Sequence, residues 1–415
     1  MLNSPLTKLV SIPKEALVST FLVANAFVWY LSGFSYLQDA TNSRFGNTSL
    51  LIIATANFAS LVLSAFAVSS VTSKLKSRPV FLKYWIIAGA LLSVLFAIMN
   101  LADFVGLLVL ASLIGVYFGI GMPICMGYYA KSTAPQNRAK LSGIIILLIG
   151  LGYPLISIIG SRDTILLAAA LSVWQILALI LVLPAKSPEE PVLQKERVTF
   201  RSIISNKTFL LYAAPWLMFS LINQLTMELN RNYFSSNTFP TAFGQNFLLI
   251  ENVLAGASAI ICGFLADRKG RKRLALVGFV LLGVGYASLG FFSDNYLAAW
   301  FYVCVDGVAW GAFSMLFLVT IWGDIAQEKS SEKYYFLGVL PYLFSNLAGV
   351  FTGTYVLVNV QEGMVFSFAS FFLFVAVLPL VYAPETLPDR ILKNLDLNSY
   401  VNKALEKVKK SNIKT

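Results

Sequence analysis

The sequence predicts an all-α membrane protein whose twelve transmembrane helices form two pseudo-symmetric six-helix bundles. Three observations carry that expectation. The 415 residues are 57% hydrophobic and only 12% charged, against roughly 25% charged in a soluble domain. Apolar runs long enough to cross a hydrocarbon core, about 20 residues each, recur twelve times between polar breaks. The cations behind the net charge of +11 fall in alternate breaks, the asymmetry that the positive-inside rule gives a chain threading a bilayer. A cation excess on one soluble face would point to nucleic acid. Sorted by loop it is a topology label, and no nucleic-acid partner is expected.

In order, the first half offers runs at 16–37, 48–71, 80–99, 104–130, 141–160 and 163–183. The second offers 208–234, 246–266, 274–292, 296–322, 335–358 and 362–383. The first run is too long for a signal-peptide core and holds Ala24-Asn25-Ala26 in its interior, so it reads as a span. The polar stretch 184–207, opening at Pro184, divides an N-terminal bundle, 1–183, from a C-terminal bundle, 208–384. That even split is the mark of internal duplication. In the tail, 385–415, Ile391, Leu395, Val401, Leu405 and Val408 fall near helical spacing among Lys393, Lys403, Lys407 and Lys410. The pattern reads as an amphipathic helix on membrane lipid; a solvated tail is the alternative. With the N-terminus set inside, 28 of the 31 Lys and Arg lie in inner segments, leaving Arg44, Arg162 and Arg231 outside. Both termini are then cytoplasmic in a multi-pass cell-membrane protein.

Cys125, Cys262 and Cys304 stand far apart in apolar runs, and the chain has no histidine. Neither a zinc site nor a disulfide framework is indicated, and three buried thiols are expected. Without histidine the usual general base is missing. No nucleophile–base pair or phosphate loop takes its place, so no enzyme activity, cofactor or metal is expected.

The loop after the eighth run reads Gly263-Phe-Leu-Ala-Asp267-Arg268-Lys-Gly270-Arg271-Lys272-Arg273. It resembles the G-x-x-x-D-R-x-G-R-[RK] signature of the major facilitator superfamily, at the loop where that family carries it in its second half. The resemblance implies a cytoplasmic conformational latch built on Gly263, Asp267, Arg268, Gly270 and Arg271. The residue types suit that role: glycines permit close helix approach, and an aspartate can cap a neighbouring helix N-terminus. The first-half counterpart, Ser69 to Arg78, has Ser73 where the aspartate belongs, so a weaker latch is expected there. Gly115-x-x-x-Gly119-x-Gly121 matches the family's fourth-helix glycines, with Ala111 at the place of a membrane-embedded arginine. Pro135-Gln-Asn-Arg138 resembles the loop before helix five. Pro384-Glu385-Thr386 and the Asn223-Gln224 pair are similar to the sugar porter branch, where paired amides hold sugar hydroxyls. Lys131 and Met227 depart from that branch.

Polar groups inside hydrocarbon are costly and are functional candidates by default. Asp306 falls ten residues into its run, near the midplane, and Asn25, Asn57 and Asn346 reach similar depth. The resemblance implies that helices one, four, seven and ten line a central cavity. Asn25, Trp29, Asn223, Gln224, Trp310 and Asn346 are therefore the candidate substrate-binding residues, several of which also suit plain helix packing. Asp306, Glu228 and Glu251 are the candidate proton carriers. Glu228 and Arg231, one turn apart, also suit an interfacial anchor. A side-chain carrier near neutral pH must here be a carboxyl whose charged form burial disfavours. The expected activity is alternating-access transport, as a proton-coupled symport permease for a small polar or organic solute, by a monomer. An uncoupled facilitator of sugars and a transporter-like receptor or sensor are the alternatives.

Overall fold

The computed structural model describes residues 12–72, 75, 77–99, 102–161, 163–184, 198–235, 239–292, 295–326, 330–355 and 362–388, with 391, 393 and 397. Those residues are almost wholly helical. The helical stretch Lys14–Val71, of 58 residues, is broken at Gly46, whose φ of 77° and ψ of −177° are not helical. At 1.5 Å per residue it would run to about 87 Å, far longer than a bilayer core of about 30 Å. It therefore supplies two spans, α1 before Gly46 and α2 after it. A conformation that only glycine adopts readily turns the chain back there. The remaining spans are α3 (Arg78–Ile98), α4 (Phe104–Ser132), α5 (Pro135–Gly160), α6 (Thr164–Val182), α7 (Lys207–Phe234), α8 (Thr241–Lys269) and α9 (Arg271–Phe291). Then follow α10, α11 (Ser331–Tyr355) and α12 (Glu362–Tyr382). The tenth comprises Tyr296–Phe313, a π-helical stretch Ser314–Thr320 and Ile321–Ala326. A one-turn helix, Phe200–Ile204, precedes α7.

Polar residues start the helices. Asp163, Asn206 and Asn295 accept from the N–H groups of Ile165, Phe209 and Leu297, satisfying donors that every helix start leaves open. Several helices extend past their apolar runs. α5 begins at Pro135 rather than near 141, and α8 runs Thr241–Lys269 rather than 246–266. Hydropathy stops where polar residues begin, whereas the helices continue: Asp267, at the end of α8, accepts from the N–H groups of Ala139 and Lys140 in α5 and pairs with Arg271.

The pairing of helices repeats with an offset of six. α3 packs on α6 as α9 packs on α12, and α2 on α4 as α8 on α10. This is the pseudo-symmetry of two six-helix bundles. The bundles meet chiefly along α5 with α8 and α2 with α11, the second contact including Phe58 against Phe344 and Phe66 against Phe336. Apolar side chains such as Leu63, Leu91, Ile158, Leu249 and Phe371 remain more than half exposed, as lipid contact requires. Cys125 and Cys262 are buried, but Cys304 lies on an exposed face of α10, contrary to expectation. The tail beyond 397 and residues 185–197 of the central stretch lie outside the described residues, as do Arg162, Ser73 and the side chain of Glu228.

Candidate functional site

Between the bundles, aromatic and amide groups from both halves face one another. Tyr30 of α1 and Tyr153 of α5 both lie near Tyr342 of α11, across the bundle interface. The ring of Tyr342 is 6.4 Å from that of Trp310 on α10, whose indole N–H donates to Asn223 Oδ1 on α7 at 2.9 Å. Gln224, the next residue of α7, faces α11, where a Cβ added at Gly349 would meet its side chain at 3.1 Å. Asn346 is half-buried, one turn along α11 from Tyr342. None of these groups carries a charge, and Tyr153, Asn223, Gln224, Trp310, Tyr342 and Asn346 are only partly buried. Such a surface suits an uncharged, hydrogen-bonding solute.

Two expected lining residues point elsewhere. Asn25 donates to Trp174 O of α6 at 2.8 Å and Trp174 Nε1 donates back to Asn25 O at 3.2 Å. Trp29, fully buried, donates to Ser93 Oγ of α3 at 2.7 Å. Their shared helix face was legible; that it turns toward α3 and α6 rather than the partner bundle was not. Asn57 likewise joins α1, α2 and α4, accepting from Tyr30 and donating to Ala111 O.

The carboxyl pair lies within the second bundle. Glu251 was expected about five residues into its helix, but α8 begins at Thr241, so Glu251 is ten residues in. Asp306 stands ten residues into α10. The two helices enter from the same side, so both acids reach one depth, and Asp306 acts electrostatically on Glu251. The backbones approach closely there: a Cβ at Gly307 would meet Glu251 O at 3.0 Å and Leu254 Cβ at 2.8 Å. Asp306 is 3% exposed. Asp306 Oδ1 and Glu251 Oε1 are buried without a hydrogen-bond partner among the described residues. Two carboxylates cannot both ionise cheaply in a low-dielectric site without a cation. A neutral, protonated carboxyl at one of the two positions avoids that cost.

At the cation-rich end a third assembly joins the bundles. Asp324, at the end of α10, accepts from Arg138 Nη1 of the first bundle at 2.5 Å and Arg271 Nε of the second at 3.0 Å. Asp267 accepts from Ala139 N and Lys140 N, in the opening turns of α5, at 3.2 and 2.9 Å, and from Arg271 Nη2 at 2.8 Å. A carboxylate near a helix N-terminus is favourably placed against the helix dipole. Arg271 Nη2 also donates to Pro135 O at 2.6 Å. Gly270 has φ 98°, and Glu385 occupies the space a Cβ would take while accepting from Arg271 N at 2.8 Å. Gly263 lets α8 approach α5, since a Cβ there would meet Ala139 O at 2.6 Å. Arg268 is exposed beside the assembly. The first-half counterpart is not left open: Arg78 donates through Nε and Nη2 to Glu332 Oε1 of α11 at 2.7 and 2.5 Å. An arginine–glutamate pair across the bundles stands there, although the motif's aspartate is lost.

Sequence reasoning passed over Asp324 and the tyrosines at 30, 153, 286, 302 and 342. Asp324 lies just past the tenth apolar run, 296–322, and a tyrosine within an apolar run does not by itself stand out from its neighbours. Only tertiary pairing distinguishes them.

The family profile of the Major Facilitator Superfamily matches residues 16–335. No curated protein matches the chain in sequence. Among solved structures, the chain is similar to the proton:xylose symporter XylE bound to 6-bromo-6-deoxy-D-glucose. That likeness has TM-score 0.67 and 15% identity, and covers 90% of this chain and 96% of the other. It is similar also to the E. coli fucose:proton symporter FucP, with TM-score 0.69, 9% identity and coverage of 89% and 98%. A bacterial homologue of the iron transporter ferroportin in an outward-facing state gives 0.67, 13%, 88% and 98%. At such identities the structures speak for the fold alone. The profile spans more than half the chain, and twelve helices in two repeated bundles carry that fold: the chain belongs to the major facilitator superfamily and is a membrane transport protein.

Proposed function

We propose that the chain is a secondary active transporter that moves a small polar or organic solute by alternating access, coupled to protons. The observation that carries the coupling is the buried Glu251–Asp306 pair, on which no lysine or arginine acts among the described residues. A site that must take up and release a proton to balance its charge is what coupling needs. The solute site is the uncharged group Asn223, Gln224, Trp310, Tyr342 and Asn346 with Tyr30 and Tyr153. Amide and aromatic groups suit sugars well, and two of the structural relatives are named as proton symporters of xylose and fucose. Neutral sugars are therefore the first solutes to test.

The end bearing Asp324 and Arg271 is read as cytoplasmic, on the sorting of the cations. With that end held by arginine–carboxylate pairs, the molecule stands closed inward, and transport requires those pairs to part. Segments 1–183 and 208–384 are read as the moving halves, 184–207 as a cytoplasmic linker and 385–415 as a membrane-facing cytoplasmic tail.

The test begins with a thermal-shift screen of the purified chain against neutral sugars, amino acids and organic acids, because a ligand that binds only the folded state raises its melting temperature. The best solute is then followed into proteoliposomes under an imposed pH gradient. Accumulation in the wild type and its loss in Asp306→Asn are expected. Uptake of equal extent with and without the gradient would make the chain an uncoupled facilitator.

A further inference from the structure

One stripe of α7 carries three hydrogen-bonded rungs. Asn223, Thr226 and Asn230 fall at i, i+3 and i+7, a single helix face. Asn223 accepts from Trp310 Nε1 at 2.9 Å, Thr226 and Tyr286 join hydroxyls at 2.7 Å, and Asn230 Nδ2 donates to the Tyr302 hydroxyl at 2.8 Å. A cross-link closes the ladder, the Tyr302 hydroxyl donating to that of Tyr286 at 3.1 Å. On α10, Tyr302, Asp306 and Trp310 repeat at i, i+4 and i+8. Asp306 therefore stands one turn from each of two rungs, the outer one built from residues outside the proposed solute site and the other from residues within it.

The surroundings of the pair define what can respond to its charge. Glu251 faces Asp306 from α8, and Asp306 acts electrostatically on both Tyr286 of α9 and Tyr302 of α10. From α7 come the neutral Thr226 and Asn230, the latter 8% exposed with Oδ1 buried and without a partner among the described residues. The side chain of Glu228 lies outside the described residues.

We infer that Asn230 and Tyr302 are positioning residues that transmit the proton occupancy of the Glu251–Asp306 pair to the Asn223–Trp310 contact in the solute site. The inference rests on the proton-coupled reading. While the pair holds its proton, the rungs are neutral hydrogen bonds and α7 stays fastened to α10. When the proton leaves to water, the remaining charge attracts the nearest donors, and a hydrogen bond to a carboxylate is about twice as strong as a neutral one. The Tyr302 hydroxyl and Asn230 amide re-aim toward Asp306, each keeping its own protons. The outer rung opens, α7 shifts on α10, and the Asn223–Trp310 rung changes with it. Coupling then resides in one helix that carries both contacts.

Intrinsic tryptophan fluorescence of the purified full chain, without solute, tests this from about pH 5 to about pH 9, where a buried carboxyl pair titrates. The wild-type spectrum minus that of Trp310→Phe isolates the Trp310 signal. A sigmoidal change in that signal is expected in the wild type and none in Asp306→Asn. In Tyr302→Phe, which removes one hydroxyl, its amplitude should fall at least about five-fold, the lower range of site-to-site coupling. Asn230→Ala breaks the same rung from the opposite helix and should act alike, so a folding failure of either variant leaves the other to decide. A full Trp310 signal in Tyr302→Phe or Asn230→Ala overturns the inference while the loss in Asp306→Asn preserves the proton reading. A full signal in Asp306→Asn as well overturns both.

Discussion

Three carboxyl groups in two kinds of company account for most of the chemistry. Asp324 is buried between two guanidinium groups, and its neutralisation in Asp324→Asn would leave Arg138 and Arg271 short of an anion in a dry site. Removing one partner of a buried pair costs about 3–5 kcal/mol, so the variant should melt several degrees lower, by thermal unfolding in detergent. Asp306 and Glu251 face each other with no cation acting on either among the described residues. Either Asp306→Asn or Glu251→Gln should abolish proton-driven accumulation while solute exchange across proteoliposomes, which needs no net proton movement, continues. Loss of exchange in step with accumulation would assign the pair to packing instead. Asp306 was legible in the sequence because an acid in a long apolar run has no ordinary use. Its pairing with Glu251 was not, because the depth of Glu251 depends on where α8 starts, and the polar residues at 241–246 hid that start from a hydropathy reading. Asn25 and Trp29 show the converse limit: helical spacing groups residues on a face without saying which neighbour the face meets.

Helices and turns were read well where hydrophobicity alone decides them. Every apolar run became a span, and the errors lie at polar ends such as Pro135–Lys140 and Arg271–Arg273, which tertiary ion pairs hold in helical form. The turn between α1 and α2 was expected as a loop of about ten residues from the gap between runs, and the structure compresses it to Gly46. Nothing lies within 4 Å of a Cβ built at Gly46, so Gly46→Ala meets no clash and its cost is backbone strain alone, about 1–3 kcal/mol. A melting temperature equal to that of the wild type would mean that the turn relaxes into another conformation. At the α5–α8 contact the penalty is steric. A larger residue in Gly263→Val must move the α5 backbone at Ala139, so the cation-rich end should loosen, seen as faster labelling of a cysteine introduced at Ser142, a buried position on α5. Unchanged labelling would show that α5 and α8 separate without consequence for that end.

At the scale of the whole molecule, two bundles of like construction are joined at one end by charge and face each other near the centre through uncharged aromatic and amide groups. The duplication was visible from the even spacing of twelve runs about a polar centre, and the place of the second-half charge cluster from the Gly263–Arg273 motif. The Arg78–Glu332 pair was hidden, because residues 254 positions apart have no signature in a single sequence. If the latch holds the bundles closed, Arg271→Gln should widen the cation-rich end, measurable as a longer spin-label distance between α5 and α8. An unchanged distance distribution would leave the ion pairs with a stabilising role only. The central claim is that solute and proton cross together, and the most direct measurement is solute-driven proton movement. Proteoliposomes holding a pH-sensitive dye are given the sugar that most raises the melting temperature. Acidification of the lumen that follows solute entry in the wild type and vanishes in Asp306→Asn is the predicted result. Solute entry with no change in lumenal pH would contradict the account.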